Sequence, residues 1–172
     1  VDFQFNTTVS HIDKAQAATI YVANNHTAGA PVAAKFDAVV LCAGAASAQL
    51  CQALGLLVQT TPIYGYSVTA QVREPLDAPR GALMDEHYKV AISRLGQRVR
   101  VAGSAEIGGS LSVHRASALR TLYKVLHDWF PGAGSMQRSV QEWKGARPML
   151  PNRPPLVGAS GIPGLWFNTG HG

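Results

Sequence analysis

Apolar and polar residues alternate in many short runs of this chain, which is the pattern of half-buried β-strands. Over the first 24 positions, runs such as "TTVSHI" and "ATIYVA" predict antiparallel strands with a turn near Asp13. In the middle of the chain, "YGYSVTAQV", "YKVAIS" and "RVRVAG" predict an antiparallel sheet of at least three strands. Residues 139–143 predict one further strand.

Two continuous apolar runs predict buried strands that lead into glycine turns. The first covers residues 38–42 and ends at Ala43-Gly44, and the second is "GLWFNTG" near the end of the chain. A glycine after a buried strand lets the backbone approach a flat or phosphorylated ligand closely, because no side chain holds the ligand off. One such ending also fits an ordinary tight turn, but two in one chain favour a ligand-binding edge.

Helical periodicity is confined to two segments. Apolar residues spaced three and four apart predict a long amphipathic helix over residues 113–129, with its aromatic stripe in the core, stopped by Pro131 and Gly132. Ser47 predicts the N-cap of a short helix over residues 48–54.

Composition narrows the function class. The chain has 172 residues, of which 47% are hydrophobic and only 15% charged, with a formal net charge of +5. The positive charge lies in the last 100 residues, but the arginines there are dispersed and no aromatic–basic platform accompanies them, so nucleic-acid binding is not expected. Cys42 and Cys51 lack any Cys/His metal spacing and predict two reduced thiols, with no metal site.

Arg147 is the most informative single residue of the sequence. It lies in "WKGARPMLPNRPPLVG", residues 143–158, whose prolines predict a stiff loop. A guanidinium can hold a carboxylate through two parallel hydrogen bonds, which a lysine cannot reproduce. From the residues alone, a substrate-carboxylate anchor is as well supported as the alternative, a surface arginine or one paired to a structural aspartate.

Other polar residues offer weaker signals. Tyr66 and Tyr88 fall on predicted strands, where they either pack or line a pocket. His87 and His171 have the titration range of acid–base groups. No Ser/His/Asp order and no nucleophile elbow occurs, which argues against hydrolase chemistry. The GxGxxG dinucleotide fingerprint is also absent from the chain.

Five stretches together resemble one family, the D-amino-acid oxidase-like flavoproteins, and among them the bacterial D-amino-acid dehydrogenase small subunits. In order they are "FDAVVLCAGAAS", "TPIYGYSVT", "DEHYKVAISRLGQRVRVAGSAEIGG", "WKGARPMLPNRPPLVG" and "LWFNTGHG". The resemblance implies a mixed α+β and α/β fold. Residues 1–58 and 151–172 would belong to an incomplete doubly wound FAD-binding domain, and residues 59–150 would form an antiparallel substrate domain with one long helix.

The resemblance also implies roles for particular residues. The substrate-binding positions would be Arg147, which would hold the carboxylate, with Tyr66, Tyr88 and His87 beside the pocket. The positions near FAD would be Ala43, Gly44, Ala45, Gly170, His171 and Gly172. No catalytic side chain is implied, because in such enzymes the flavin carries the chemistry.

The implied activity is oxidative deamination of D-amino acids to 2-oxo acids and ammonia by hydride transfer to FAD. Electrons would pass to a quinone or another acceptor. The alternatives are a glycine or sarcosine oxidase-like enzyme that uses oxygen and, from a different class, a non-catalytic basic binding module. We expect a cytoplasmic protein that can make peripheral contact with the inner membrane. The resemblance further implies that the 172 residues are a fragment, which should be inactive and bind FAD weakly by itself.

Overall fold

The computed structural model describes residues 1–16, 18–26, 29–135, 140–151 and 154–171. The strands are β1 (Thr7–Ile12), β2 (Thr19–Asn24), β3 (Val32–Lys35), β4 (Val39–Leu41), β5 (Thr61–Gln71), β6 (Leu83–Asp85), β7 (Val90–Leu95), β8 (Arg98–Ile107), β9 (Gln141–Met149), β10 (Leu156–Ala159) and β11 (Leu165–Thr169). The helices are α1 (Ser47–Ala53) and α2 (Ala116–Trp129), and a 3₁₀ turn, Gly44–Ala46, precedes α1. The chain forms two compact units, Val1–Thr61 with Arg147–Gly172, and Pro62–Ala146.

The first unit contains two three-stranded sheets. One has the antiparallel order β1-β2-β3, which confirms the strands predicted over the first 24 residues and adds β3. The other has the order β10-β11-β4, in which β11 runs parallel to β4 and antiparallel to β10. The buried apolar side chains of this unit are Ile12, Leu41, Cys51, Leu54, Val58, Leu150 and Leu165.

The second unit is built on a five-stranded sheet in the order β6-β7-β8-β5-β9. Helix α2 covers one face of this sheet through Leu122, Val125 and Leu126, which are almost completely buried. The alternation along β5 and β8 supplies the strand side of this core with Tyr66, Val68, Ala70, Val99 and Val101. The predicted fold class, mixed α and β with mostly antiparallel sheet, is therefore confirmed.

The short helix does not begin as predicted. Ser47 is the first residue of α1 and not its N-cap, and the residue before it, Ala46, makes no side-chain capping hydrogen bond. The hydroxyl of Ser47 is instead completely buried and contacts Thr169. The end of the helix is closed by Gly55, whose φ of +79° places it in the left-handed region that suits glycine.

The long helix begins later than its periodicity suggested. Helix α2 starts at Ala116, because Arg115 has an extended backbone (φ −80°, ψ 113°) that cannot continue a helix backwards. Its C-terminal end lies before Pro131, as predicted. The aromatic stripe is only partly in the core, since Trp129 remains 55% exposed.

The predicted loop that carries Arg147 is partly a strand. Residues up to Met149 belong to β9, so Arg147 and Pro148 lie in a strand. Proline lacks the backbone N–H of a ladder hydrogen bond but is tolerated on edge strands, and β9 is the edge of its sheet. Strand β9 begins at Gln141, whereas Ser139 of the prediction lies outside the described residues.

Candidate functional site

The two predicted glycine endings meet at one edge of a sheet. Strands β4 and β11 are parallel neighbours, with Leu165 opposite Val39 and Phe167 opposite Leu41. Their carboxyl ends therefore point the same way, β4 into the Ala43-Gly44 turn and β11 into Gly170. In open α/β sheets, ligands bind outside the carboxyl ends of the strands. The structure thus brings Ala43, Gly44, Ala45 and Gly170 to the edge where the general rule expects a cofactor.

A buried hydroxyl pair ties this edge together. Thr169 is 2% exposed, and its Oγ1 donates to Oγ of Ser47 at 3.1 Å. The same oxygen lies 3.5 Å from the carbonyl oxygen of Gly44. The end of β11 is thereby joined to the 3₁₀ turn and to the first residue of α1, which sets the position of the small residues after β4.

The backbone at this edge fits a closely approaching flat ligand. Gly44 has φ +55°, and a Cβ there would meet no atom within 4 Å, so space lies open beside it. The neighbouring Ala43 and Ala45 are exposed and carry only methyl groups. His171 is also exposed, whereas Gly172 lies outside the described residues.

Gly170 is the more constrained of the two glycines. It has φ +85° and is buried, and a Cβ there would overlap the Leu150 side chain, lying 2.9 Å from its Cγ. We therefore expect Gly170→Ala to destabilise the protein both through backbone strain, about 1–2 kcal/mol for a non-glycine residue in this region, and through the clash. Urea unfolding of the full-length protein measures the loss.

Gly55→Ala is the matched control for this substitution. Gly55 has a similar φ, +79°, but a Cβ there would have nothing within 4 Å. Gly55→Ala introduces the backbone strain without the clash. Gly170→Ala should therefore lower the free energy of unfolding by more than Gly55→Ala does. Equal losses for the two variants would contradict a close contact between Gly170 and Leu150.

Arg147 lies on β9 and belongs to the same compact unit as β4 and β11. Its side chain is exposed, and its guanidinium forms no salt bridge with the acidic residues that the structure describes. The structural acidic partner that the sequence left open is therefore not found among the described residues. The guanidinium fork is available to an external carboxylate.

His87 and Tyr88 lie in the turn between β6 and β7, not on a strand as predicted for Tyr88. The turn forms because Oδ1 of Asp85 accepts the backbone N–H of Tyr88 at 2.8 Å, and because Lys89 adopts φ +54°. Oδ2 of Asp85 accepts the indole N–H of Trp129 at 2.7 Å, which ties the turn to the end of α2. These two donors, first Tyr88 and then Trp129, hold the pKa of Asp85 below its usual range.

Tyr66 is 2% exposed and faces the α2 side of its sheet. Its hydroxyl donates to Oε2 of Glu106 and accepts the backbone N–H of Arg115 at 3.1 Å. Both hydrogen-bonding functions of this hydroxyl are thus used within the protein. A contact between Tyr66 and substrate stays a prediction. In the structure, the Tyr66 hydroxyl is hydrogen-bonded to Glu106 and to the backbone N–H of Arg115.

Tyr66 belongs to a buried ionic cluster, which we define as Tyr66, Glu106 and Lys144. Nζ of Lys144 lies 3.1 Å from Oε2 of Glu106 and donates to the carbonyl oxygens of Ser110 and Val113 at 2.7 Å each. The side chains of Lys144 and Glu106 are 1% and 8% exposed. The ammonium therefore joins β9, β8 and the segment that leads into α2.

The cluster shifts the titration of both charged members. The Tyr66 hydroxyl and then Lys144 hold the pKa of Glu106 below its usual range. Burial by itself disfavours the ammonium of Lys144, but the neighbouring Tyr66 hydroxyl and Glu106 carboxylate outweigh burial and raise its pKa. Both groups are therefore charged at neutral pH.

The lowered pKa of Glu106 predicts a loss of stability in acid. A carboxyl whose pKa is depressed by folding stabilises the protein above its unfolded value, and that contribution disappears as the pH falls through the folded value. We expect the urea midpoint of the full-length protein to fall as the pH drops below about 4.5, near the ordinary glutamate pKa.

Two substitutions separate Glu106 from the other carboxyls in this experiment. Glu106→Gln should make the acid decline shallower, because the titrating group is gone. Glu86→Gln removes an exposed carboxyl, 74% accessible and paired with Lys89, and should leave the decline unchanged. Identical acid profiles for Glu106→Gln and the parent would refute this assignment.

Sequence reasoning missed Asp85, Glu106 and Lys144. Strict alternation from Val99 and Val101 would have turned Ala105, not Glu106, toward the core. The register between β5 and β8 shifts between Tyr64 and Tyr66, and Ser104 there has φ +69°, which reverses the alternation. Of these three residues, only Asp85 could have been recognised from the sequence, because an aspartate at the start of a tight turn commonly accepts a backbone N–H from that turn.

Comparison with known proteins identifies the family. The model of the family described as "DAO: FAD dependent oxidoreductase" matches residues 1–172, the whole chain. The chain belongs to this family. Its fold agrees with that of solved members: it resembles glycine oxidase from Geobacillus kaustophilus with a TM-score of 0.73 at 21% identity, covering 96% of this chain and 42% of that one. L-proline dehydrogenase from P. horikoshii gives a TM-score of 0.68 at 14% identity over 95% of this chain and 44% of that one.

The relatives found by sequence share a name that is more specific than the family description. The chain is 40% identical over 172 residues to a D-amino acid dehydrogenase of Rhodopseudomonas palustris (strain HaA2), covering all of this chain and 39% of the relative. It is 44% identical over 136 residues to a D-amino acid dehydrogenase of Allorhizobium ampelinum, covering 79% of this chain and 32% of the relative. The chain thus spans about two fifths or less of the length of these relatives.

Proposed function

We propose that this chain is part of an FAD-dependent D-amino acid dehydrogenase, which oxidises D-amino acids to 2-oxo acids and ammonia. The observation that carries the proposal is the sheet edge formed by β4 and β11, in a chain that matches an FAD-dependent family along its whole length. The 40% identity to a D-amino acid dehydrogenase supports the substrate class. The first unit then corresponds to the FAD-binding domain and the second to most of the substrate domain.

The residues at the sheet edge fit FAD in their chemistry. Ala43, Gly44 and Ala45 present backbone and methyl groups only, and Gly44 has open space where a side chain would be. Gly170 brings the backbone of β11 to the same edge. These residues, with His171 and Gly172, would hold FAD by backbone contact. Bound FAD supplies the acceptor for the hydride taken from the substrate α-carbon.

Arg147 supplies the substrate anchor in this proposal. Its exposed guanidinium can hold the α-carboxylate by two parallel charge-assisted hydrogen bonds. A substrate fixed at its carboxylate loses rotational freedom, so its α-hydrogen is presented in one orientation and the reaction becomes effectively unimolecular. Binding through one end of the substrate also leaves the side chain free to vary.

His87 and Tyr88 are proposed to line the substrate pocket from the turn before β7. Asp85 holds this turn through the Tyr88 N–H, and the Tyr88 ring lies 5.6 Å from Nζ of Lys124. The turn is thereby fixed to α2 at two points, Trp129 and Lys124. A turn held in this way can exclude water from a neighbouring site without contributing a proton-transferring group.

Electron transfer to a quinone or another acceptor completes the proposed turnover. The relatives' name, dehydrogenase, supports an acceptor other than oxygen. Among the described residues, no helix has the length and apolar character to cross a membrane. Peripheral contact of a cytoplasmic enzyme with the inner membrane is the corresponding proposal for its location.

Anaerobic flavin reduction tests the proposed function. The full-length protein is mixed with D-alanine, L-alanine, glycine or sarcosine, and the bleaching of flavin absorbance is followed. We expect D-alanine to reduce the flavin and L-alanine not to. In air, a dye acceptor should be needed for turnover. Rapid reduction by glycine or sarcosine with a stoichiometric yield of hydrogen peroxide would instead assign the chain to an oxidase, and a protein that holds no flavin would refute the proposal.

A further inference from the structure

A polar cleft of about 260 Å³ lies on the face of the second unit's sheet opposite helix α2. Its polar lining consists of Ser67, Thr69, Arg98, Arg100 and Gln141. These residues come from β5, β8 and β9, and the register places Thr69 directly opposite Arg100. Side chains at opposed positions of an antiparallel pair share one face, so strand alternation itself gathers this lining.

The cleft carries the positive charge of two arginines, and none of its described lining residues is acidic. Arg98 and Arg100 are two residues apart on β8, which puts their Cα atoms roughly 7 Å apart on the same face. No acidic side chain lines the cleft, and neither arginine forms a salt bridge with an acidic residue in the described part of the chain. Two like charges this close repel each other, and an anion bound beside them would offset that repulsion.

The guanidinium of Arg100 is also incompletely satisfied. One terminal nitrogen, Nη2, donates to Oγ of Ser67 at 3.1 Å. Its Nε is buried and has no hydrogen-bond partner among the residues that the structure describes. A buried donor without an acceptor is rare in folded proteins and requires an explanation such as an ion or water at the site.

The hydroxyl of Ser67 completes a donor set. Ser67 is 2% exposed, and its oxygen already accepts from Arg100, so its own proton remains free to donate. Thr69 brings a second, largely buried hydroxyl to the same face. The cleft therefore combines two cations with hydroxyl donors and offers an entering ligand almost no negative charge.

Trp143 supplies a flat wall beside these donors. Its ring is half exposed and lies along β9 over Gly145, where a Cβ would overlap the indole. Leu95 adds a second apolar contact. A cleft of this size, with donors on one side and an indole on the other, suits a small molecule and not a polymer.

We propose that this cleft binds the oxyanion group of a small molecule, either a carboxylate or a phosphate. Arg100 and Arg98 are its charged contacts, and Ser67 and Thr69 donate hydrogen bonds to it. Binding lets the Arg100 guanidinium re-orient, so that Nε gains the acceptor that it lacks. Arg147, the proposed substrate anchor, is not among the residues that line this cleft.

Isothermal titration calorimetry tests the proposal on the full-length protein that carries Arg147→Ala. This background removes the proposed anchor for substrate carboxylates, and the comparison does not depend on whether Arg147 has that role. Sodium benzoate and sodium phosphate are the two probes, because benzoate adds a flat apolar body for Trp143 whereas phosphate offers only the oxyanion. Tighter benzoate binding assigns a carboxylate ligand, and tighter phosphate binding assigns a phosphate ligand.

Arg100→Met should raise the dissociation constant of the bound probe at least tenfold. Arg120→Met is the matched control, since Arg120 is an exposed arginine on α2, and it should leave the constant unchanged. Arg98→Met, at an exposed position, should weaken binding and reduce its salt dependence even if Arg100→Met fails to fold. Absence of binding to the Arg147→Ala protein, or the same constant in the Arg98 and Arg120 variants, would overturn the proposal.

Discussion

Arg147→Ala is expected to lower kcat/KM for D-alanine roughly 10²–10⁴-fold in the full-length protein. The estimate follows from two charge-assisted hydrogen bonds worth about 1.5–3 kcal/mol each, at 1.4 kcal/mol per tenfold change. Both KM and kcat should change, because the carboxylate contact provides affinity and also orients the α-hydrogen. Steady-state kinetics with a dye acceptor measures the effect.

Two further variants show whether the fork of Arg147 matters and not its charge alone. Arg147→Lys retains the positive charge but loses the bidentate geometry. Its kcat/KM for D-alanine should therefore lie between the values of the parent and the alanine variant. Arg120→Ala removes an exposed arginine from α2 and should leave the kinetics unchanged. Unaltered D-alanine turnover by Arg147→Ala would eliminate Arg147 as the substrate anchor, without affecting the flavin assignment.

Lys144→Met is expected to lower the melting temperature of the full-length protein by more than about 5 °C. Methionine fills a similar volume but removes the buried cation nearest to the carboxylate of Glu106, which is left with the exposed Arg115, 3.6 Å from its Oε1. It also leaves the carbonyl oxygens of Ser110 and Val113 without the donor that they share. Unpaired buried polar groups are among the few causes of large single-residue losses. Differential scanning fluorimetry measures the shift.

Lys124→Met is the matched control for the buried lysine. Lys124 pairs with Asp128 on the surface of α2 and is 55% exposed, against 1% for Lys144. An exposed ion pair contributes little, so its loss should shift the melting temperature by about 2 °C or less. Adding Glu106→Gln to Lys144→Met should recover part of the loss, since the carboxylate is then neutral. Equal shifts for the two lysine variants would contradict the importance of the cluster.

The buried cluster lies close in the chain to the proposed substrate anchor. Lys144 precedes Arg147 by three residues on the same strand, β9. The ammonium joins this strand to β8 and to the segment before α2, so the part of β9 that leads to Arg147 is fixed by a buried contact and not only by backbone pairing. A variant that loses the cluster should therefore be compared with Arg147→Ala for KM as well as for stability.

Elements whose signals are local could be predicted from the amino-acid sequence alone. The 3.6-residue period predicted α2, and the two-residue period predicted β5, β7 and β8 within a few residues. The apolar runs before Gly44 and Gly170 predicted β4 and β11. These predictions succeeded because period and glycine conformation depend on neighbouring residues alone.

Which of these elements lie next to one another depends on long-range contacts that the sequence pattern does not reveal. Thr169 and Gly44 are 125 positions apart, and no local pattern indicates that β11 lies parallel to β4 or that Ser47 turns its hydroxyl to Thr169 instead of capping α1. The burial of Glu106 likewise depends on an irregularity in the pairing of β5 with β8. Strand pairing and register are settled by long-range packing, because each strand offers the same backbone donors and acceptors to any partner. The sequence could therefore indicate candidate residue types, but not which of them lie next to one another.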